Sequence, residues 1–160
     1  MVGLSAAPMP ARSDDALIDC PVWVALGYEI TQSIFPNWKF AAADTVAANG
    51  LHGALLVGKR HAVATRKTEW QRELSTFEVE LCRDGRLAQC GGGSFVLGSP
   101  IRALRHLIGL LASESNNPPL QAGEIISTGT LTAATPINAG ECWTTRSLGS
   151  PLEDITVQFE

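Results

Sequence analysis

The sequence is poor in the features that mark most ligand-binding classes at sight. Its four cysteines, Cys20, Cys82, Cys90 and Cys142, contain no C-x-x-C pair. They are also too sparse for a secreted disulfide scaffold, so reduced thiols in a cytosol are the plain reading and a structural zinc is disfavoured. Basic residues are few: 12 Lys and Arg stand against 16 Asp and Glu, for a formal charge of −4. They are scattered along the chain, which leaves no basic stripe for nucleic acid. The N-terminal MVGLSAAPMPARSDD has neither a charged segment leading into an apolar run nor a span of about 20 apolar residues, so it indicates neither export nor membrane insertion. Gly91-Gly92-Gly93 is followed by no G-x-G-x-x-G or G-K-[ST] pattern and reads as a turn or bulge, not as a phosphate cradle. Small molecules or protein subunits remain as partners.

What is present suffices for one core. A length of 160 residues, 45% of them hydrophobic, fits a single domain, and no internal repeat or linker divides it. Residues 1–12 are small and Pro-containing and read as a flexible segment, with the domain running over 13–160. Ser13 can cap a short helix that opens with Asp14 and Asp15. The Ala-rich run AAADTVAAN predicts a helix ended by Asn49-Gly50. GALLVG, residues 53–58, predicts a strand that HAVATR continues or pairs with, and His52 and His61 beside it have no partner at a recognisable spacing. STFEVELCRDGRLAQC predicts a hairpin with Asp84-Gly85 as its type I′ turn, Phe77, Val79 and Leu81 inward, and Glu78 and Glu80 outward toward Arg83 and Arg86. Ser99 and Pro100 open a helix with Ile101, Leu104, Leu107, Ile108 and Leu111 on its buried face, which SESNNPPL ends. ECWTTRS and DITVQF predict two antiparallel strands with Ile155, Val157 and Phe159 inward. Pattern alone therefore gives an α+β fold with antiparallel strands.

Two stretches hold unusual chemistry. In VWVALGYEIT, residues 22–31, an extended chain puts Val22, Val24, Leu26, Tyr28 and Ile30 on one face and Trp23, Ala25, Gly27, Glu29 and Thr31 on the other. Glu29 is a carboxylate in an almost wholly apolar strand, costly to bury unless a cation, a donor or a proton compensates it. The alternative is a strand-end Glu reaching solvent or an Arg. Asp44 and Thr45 are the polar residues of the Ala-rich helix and fit a solvated face. In EIISTGTLTAATP a short strand runs into Ser127-Thr128-Gly129-Thr130, where hydroxyls and closely approached backbone N–H groups could bind a carboxylate. An ordinary Ser/Thr-rich turn explains the same residues unless they lie near Glu29.

The two blocks YEITQSIFPNWKFAAADTVAANGLHGALLVG and LQAGEIISTGTLTAATPINAGECWTT resemble the 2-keto-4-pentenoate hydratase branch of the fumarylacetoacetate hydrolase superfamily. Their most specific parts are E-I-x-x-S-x-x-P-x-W-K-F-x-x-x-D-T-V-A and G-E-I-I-S-T-G-T-L-T. The resemblance runs from about residue 4 to the end. It implies a divalent cation, Mg2+ or Mn2+, held by three carboxylates, two from an E-x-E pair and one further downstream. Glu29 matches the downstream ligand. It also implies that Thr128 lines the site where the acid carboxylate docks, and it places Lys39 and Asp44, the candidate catalytic residues, in the matching segment.

The family carries its E-x-E pair just upstream of where this sequence starts, and nothing before Glu29 offers two carboxylates one residue apart. The expectation is thus a partial hydratase-like catalytic domain with the mixed β-roll of the superfamily, lacking its N-terminal part. The implied reaction adds water to a 2-hydroxy-2,4-dienoate to give a 4-hydroxy-2-oxo acid, in aromatic catabolism. Decarboxylation of a 2-oxo diacid, or a non-catalytic subunit or degenerate fragment, are the alternatives. The implied setting is a cytoplasmic homo-oligomer acting on a small 2-oxo or 2-hydroxydienoic acid, without nucleic acid or membrane.

Overall fold

A computed structural model describes residues 1–9, 13–113 and 116–160. Its strands and helices run in the order β1 (Val2–Leu4), α1 (Asp14–Leu17), β2 (Pro21–Val24), β3 (Gly27–Thr31), α2 (Ala42–Ala47), β4 (His52–Val57), β5 (His61–Ala62), α3 (Lys67–Thr76), β6 (Glu78–Arg83), β7 (Arg86–Gly92), α4 (Pro100–Ser113), β8 (Ile125–Ile126), β9 (Cys142–Leu148) and β10 (Ile155–Gln158). The strands form three sheets, ordered β5-β2-β1-β8, β10-β9-β6-β7 and β3-β4. The ladders are antiparallel. The α+β class is the one the pattern and the resemblance predict.

One core joins the first two sheets and helices α1, α3 and α4. Val2, Leu4, Leu17, Val24, Val63, Trp70, Leu74, Phe77, Val79, Leu104 and Ile108 all pack into it. Ser13 caps α1, its Oγ accepting from the Ala16 N–H at 3.3 Å. Ser99 caps α4 by accepting from the Ile101 N–H at 3.2 Å, and α4 buries Pro100, Ile101, Leu104 and Ile108 on one face. Gly93–Ser113 is apolar and long enough by composition to cross a membrane. Its α-helical part has only 14 residues, roughly 21 Å of helix, which is short of a bilayer core of about 30 Å. The β6–β7 hairpin turns at Asp84 and Gly85 with φ of 50° and 76°, as a type I′ turn requires.

Four local expectations change. Within the segment expected to be flexible, residues 1–12, Val2–Leu4 is a fully buried strand between β2 and β8; residues 10–12 lie outside the described residues. Its apolar side chains and two ladder partners outweigh the loop-like composition around it. β5 pairs with β2, not with β4. The segment 22–31 is two strands in two sheets, because the Ala25 N–H turns to the Met1 carbonyl and the Leu26 carbonyl accepts from Gly58. Helix α3 has no counterpart in the sequence reading: it lacks a side-chain N-cap and carries just two buried residues, Trp70 and Leu74, one turn apart. Of the hairpin's outward carboxylates, Glu80 finds an Arg partner from β9, Arg146 at 3.8 Å, while Arg83 pairs with Glu141 at 3.6 Å.

Candidate active site

The break at Ala25–Leu26 frees β3 from the core sheet and lets it pair with β4 alone, with Tyr28 opposite Leu56 and Glu29 opposite Leu55. Alternation along β3 then sends neighbouring side chains to opposite faces. The Glu29 side chain is 43% exposed, and its Oε1 lies 3.7 Å from Nδ1 of His52. The desolvation cost anticipated for a carboxylate in an apolar strand therefore does not arise. His52, which sequence spacing left without a partner, gains one across the ladder.

Tyr28 faces the other way, toward the β10-β9-β6-β7 sheet. Its hydroxyl lies 2.7 Å from Oγ1 of the buried Thr145 and 3.5 Å from the Ile155 carbonyl oxygen. Burial pushes the phenol pKa up from its ordinary value, partly offset by the Thr145 hydrogen bond. The group thus stays a neutral polar handle. The sequence signal for it was slight, namely the chain's only tyrosine in an otherwise apolar face.

Both faces of β3 border one cavity of about 850 Å³. The β6, β9 and β10 strands supply an apolar wall that includes Val79, Leu81, Trp143 and Val157. The segment 127–137, which carries Ser127, Thr128, Gly129 and Thr130, lines the same cavity. The structure thus places Glu29 and Thr128 on the wall of one chamber. Thr128 is half-buried, and Ser127 and Thr130 are exposed. Trp38 also lines the cavity, presented by a turn in which Asn37 and Trp38 both have a φ of 56°, a conformation bulky residues seldom adopt.

The 127–137 strap is pinned from outside by residues that sequence reasoning did not single out. The Gln89 side-chain oxygen Oε1 accepts from the Ala133 N–H at 2.8 Å, and its side-chain nitrogen Nε2 donates to the Thr135 hydroxyl. The Gly92 N–H donates to the Leu131 carbonyl at 3.1 Å. Gly129 has a φ of 135°, and a Cβ there would sit 2.8 Å from Val96 Cγ1, so the turn at the chamber requires glycine. No local motif announces Gln89, because its partners lie more than 40 residues downstream.

Lys39 and Asp44 are not among the residues lining the cavity. Lys39 follows the Trp38 turn. Asp44 sits at the third position of α2, where Oδ2 accepts from the Ala41 N–H at 2.8 Å and satisfies an otherwise unpaired donor at the helix start. Asp44→Ala is expected to cost about 1 kcal/mol, read as a fall of a few degrees in Tm. A variant with unchanged Tm would show that the cap contributes nothing.

A hard divalent cation needs several oxygen ligands, about six for Mg2+. Among the described residues Glu29 is the only carboxylate lining the cavity, and no three His, Cys, Asp or Glu side chains converge anywhere. These residues by themselves do not fit a resident cation centre.

No family model matches the sequence. The chain is 30% identical over 132 residues to the 2-hydroxyhexa-2,4-dienoate hydratase of Comamonas testosteroni, covering 82% of this chain and 47% of that protein. It is 32% identical over 117 residues to a 4-oxalocrotonate decarboxylase of a Pseudomonas species, covering 73% of this chain and 42% of the other. Among solved structures, the 4-oxalocrotonate decarboxylase of Pseudomonas putida G7 complexed with magnesium and adipate superposes with a TM-score of 0.82 at 27% identity, over 99% of this chain and 57% of that one. A yeast fumarylacetoacetate hydrolase family protein at 18% identity shares the fold, with a TM-score of 0.68. The α+β chain has the fold of a fumarylacetoacetate hydrolase family protein and resembles, in sequence, the hydratases of the 2-keto-4-pentenoate branch. It spans about half the length of the curated relatives it matches.

Proposed function

We propose that this chain binds a 2-hydroxy-2,4-dienoate, or its 2-oxo tautomer, and serves its hydration to a 4-hydroxy-2-oxo acid. The carrying observation is that Glu29 and the Ser127–Thr130 turn border one largely apolar chamber. On this reading the hydroxyls and backbone N–H groups of Ser127, Thr128 and Thr130 accommodate the substrate carboxylate through several hydrogen bonds. The walls around Trp143 and Val157 keep bulk water from the diene. Glu29 is proposed as one oxygen ligand of a divalent cation, Mg2+ or Mn2+, whose remaining ligands the described residues do not supply. When bound, such a cation supplies Lewis-acid stabilisation of an enolate. Hydration itself requires a proton delivered to carbon and water added at the conjugated terminus. Lys39 and Asp44 are proposed as proton-handling groups on resemblance alone, since neither lines the chamber.

The setting we propose is the cytosol and an oligomer. The β3-β4 ladder has no third strand among the described residues, and Ile34, Trp38 and Val46 beside it are exposed. A second reading is a non-catalytic subunit, favoured by the solitary carboxylate in the chamber. A third is decarboxylation of a 2-oxo diacid, favoured by the likeness to a decarboxylase crystallised with adipate.

The discriminating assay follows the absorbance of 2-hydroxypenta-2,4-dienoate with added Mg2+ or Mn2+, beside carbon dioxide release from a 2-oxo diacid. Loss of dienoate absorbance supports hydration, and no turnover of either substrate supports the non-catalytic reading. In calorimetry, any Mg2+ isotherm is expected to weaken by about tenfold or more in Glu29→Gln, since a neutral amide is a poor ligand for a hard cation. An isotherm indifferent to Glu29→Gln would remove this residue from the proposed site.

A further inference from the structure

The composition of the chamber wall narrows the ligand further. Among the described residues no Lys, Arg or His side chain lines it, and Glu29 is its only charged side chain. Its polar groups away from Glu29 and the 127–137 strap include the neutral Tyr28–Thr145 pair. Its volume of about 850 Å³ falls near the top of the range for cavities that hold drug-sized ligands, roughly 300–1,000 Å³. A five-carbon dienoate would leave most of that space to water against Leu81, Trp143 and Val157.

We propose that the chamber selects a monocarboxylic acid bearing a large apolar substituent and rejects dicarboxylic acids of the same length. This rests on the preceding reading for the 2-oxo or 2-hydroxy end of the ligand. A single carboxylate is satisfied by the Ser127–Thr130 turn. A second would be carried into an apolar wall without a cation, which is costly for an ionised group. The Met1 amino group at the wall does not change this: it donates to the Ala25 carbonyl at 2.9 Å, and burial lowers its pKa to about 6, so it is mostly neutral at pH 7. The apolar substituent gains by covering the sheet wall, in proportion to the area it removes from water.

The test is equilibrium binding to the 160-residue chain at neutral pH with excess Mg2+, read by tryptophan fluorescence, since Trp38 and Trp143 line the chamber. The probes are 2-oxopentanoate, 2-oxooctanoate and 2-oxooctanedioate, with the simple fatty acids of matching length in parallel. Affinity is expected to rise about fourfold per added methylene, and the eight-carbon diacid to bind at least about tenfold more weakly than the eight-carbon monoacid. Val157→Lys, on the edge strand β10, is expected to narrow that gap by offering the second carboxylate a cation. Should this variant fail to fold, the wild-type series alone decides. Equal affinity for diacid and monoacid, no gain with length, or no binding of any acid would each overturn the proposal. Fatty acids binding as tightly as their 2-oxo counterparts would leave the chamber's selection standing and defeat the 2-oxo reading. Length-independent binding confined to the 2-oxo acids would do the reverse.

Discussion

A Gly91→Ala variant is expected to detach the 127–137 strap from the β6–β7 hairpin and to weaken the proposed acid binding while the core stays folded. A Cβ at Gly91 would lie 1.9 Å from the Leu131 carbonyl oxygen and 2.7 Å from its carbon. Both are backbone atoms, so no side chain can rotate away. The strap itself must move, breaking the bond from Gly92 N–H to Leu131 and straining that between Gln89 and Ala133. Overpacking of this kind costs about 1–3 kcal/mol. The loss falls on a peripheral segment, since β7 is an edge strand. Hydrogen exchange at the Gly92 and Ala133 amides should accelerate, and acid affinity should fall about tenfold or more, the equivalent of about 1.4 kcal/mol. Unchanged exchange at those two amides would show that the strap is held by something else.

Truncating Trp70 is expected to have the largest effect on stability. It is 1% exposed and one of the largest fully buried side chains, and its indole N–H donates to the Ala62 carbonyl at 3.2 Å. The ring stands edge-on to His61, with centroids 6.1 Å apart, and Arg66 lies over it at 5.4 Å. Trp70→Ala would open a void among Val63, Leu74 and their neighbours and remove the hydrogen bond to the Ala62 carbonyl, for about 3–5 kcal/mol. Domains of ordinary stability hold about 5–15 kcal/mol in all. The midpoint in a thermal melt followed by circular dichroism should therefore fall by roughly 6–20 °C, at about 2–4 °C per kcal/mol. Trp70→Phe keeps most of the volume and should lose about 1–2 kcal/mol. Equal losses in the two variants would place the stabilisation in the indole hydrogen bond and not in packing.

Legibility in the sequence followed the range of the interactions involved. The caps at Ser13 and Ser99, the buried stripe of α4 and the Asp84-Gly85 turn were all readable, because each is decided within a few residues. Helix α3 was not: its one-turn apolar pair means little until Trp70 meets Ala62 and the rest of the core. Strand β1 was misread for the same reason, since its partners β2 and β8 lie as far away as Ile126. His52 looked isolated because the ladder that brings it to Glu29 spans 23 residues of sequence.

By itself, the sequence determined the α+β class, the resemblance that singled out Glu29 and Thr128, and that residues 1–28 hold no E-x-E pair. Those are matters of residue identity and of short-range periodicity, which need no fold to be read. Only the tertiary structure decided that Glu29 stands at an exposed chamber edge, that Thr128 shares that chamber, that Asp44 caps a helix outside it, and that Tyr28 meets Thr145 across 117 residues. The chain breaks its alternation at Ala25–Leu26 to join two sheets. Which face of a strand meets which wall depends on long-range pairing, and no local pattern encodes that.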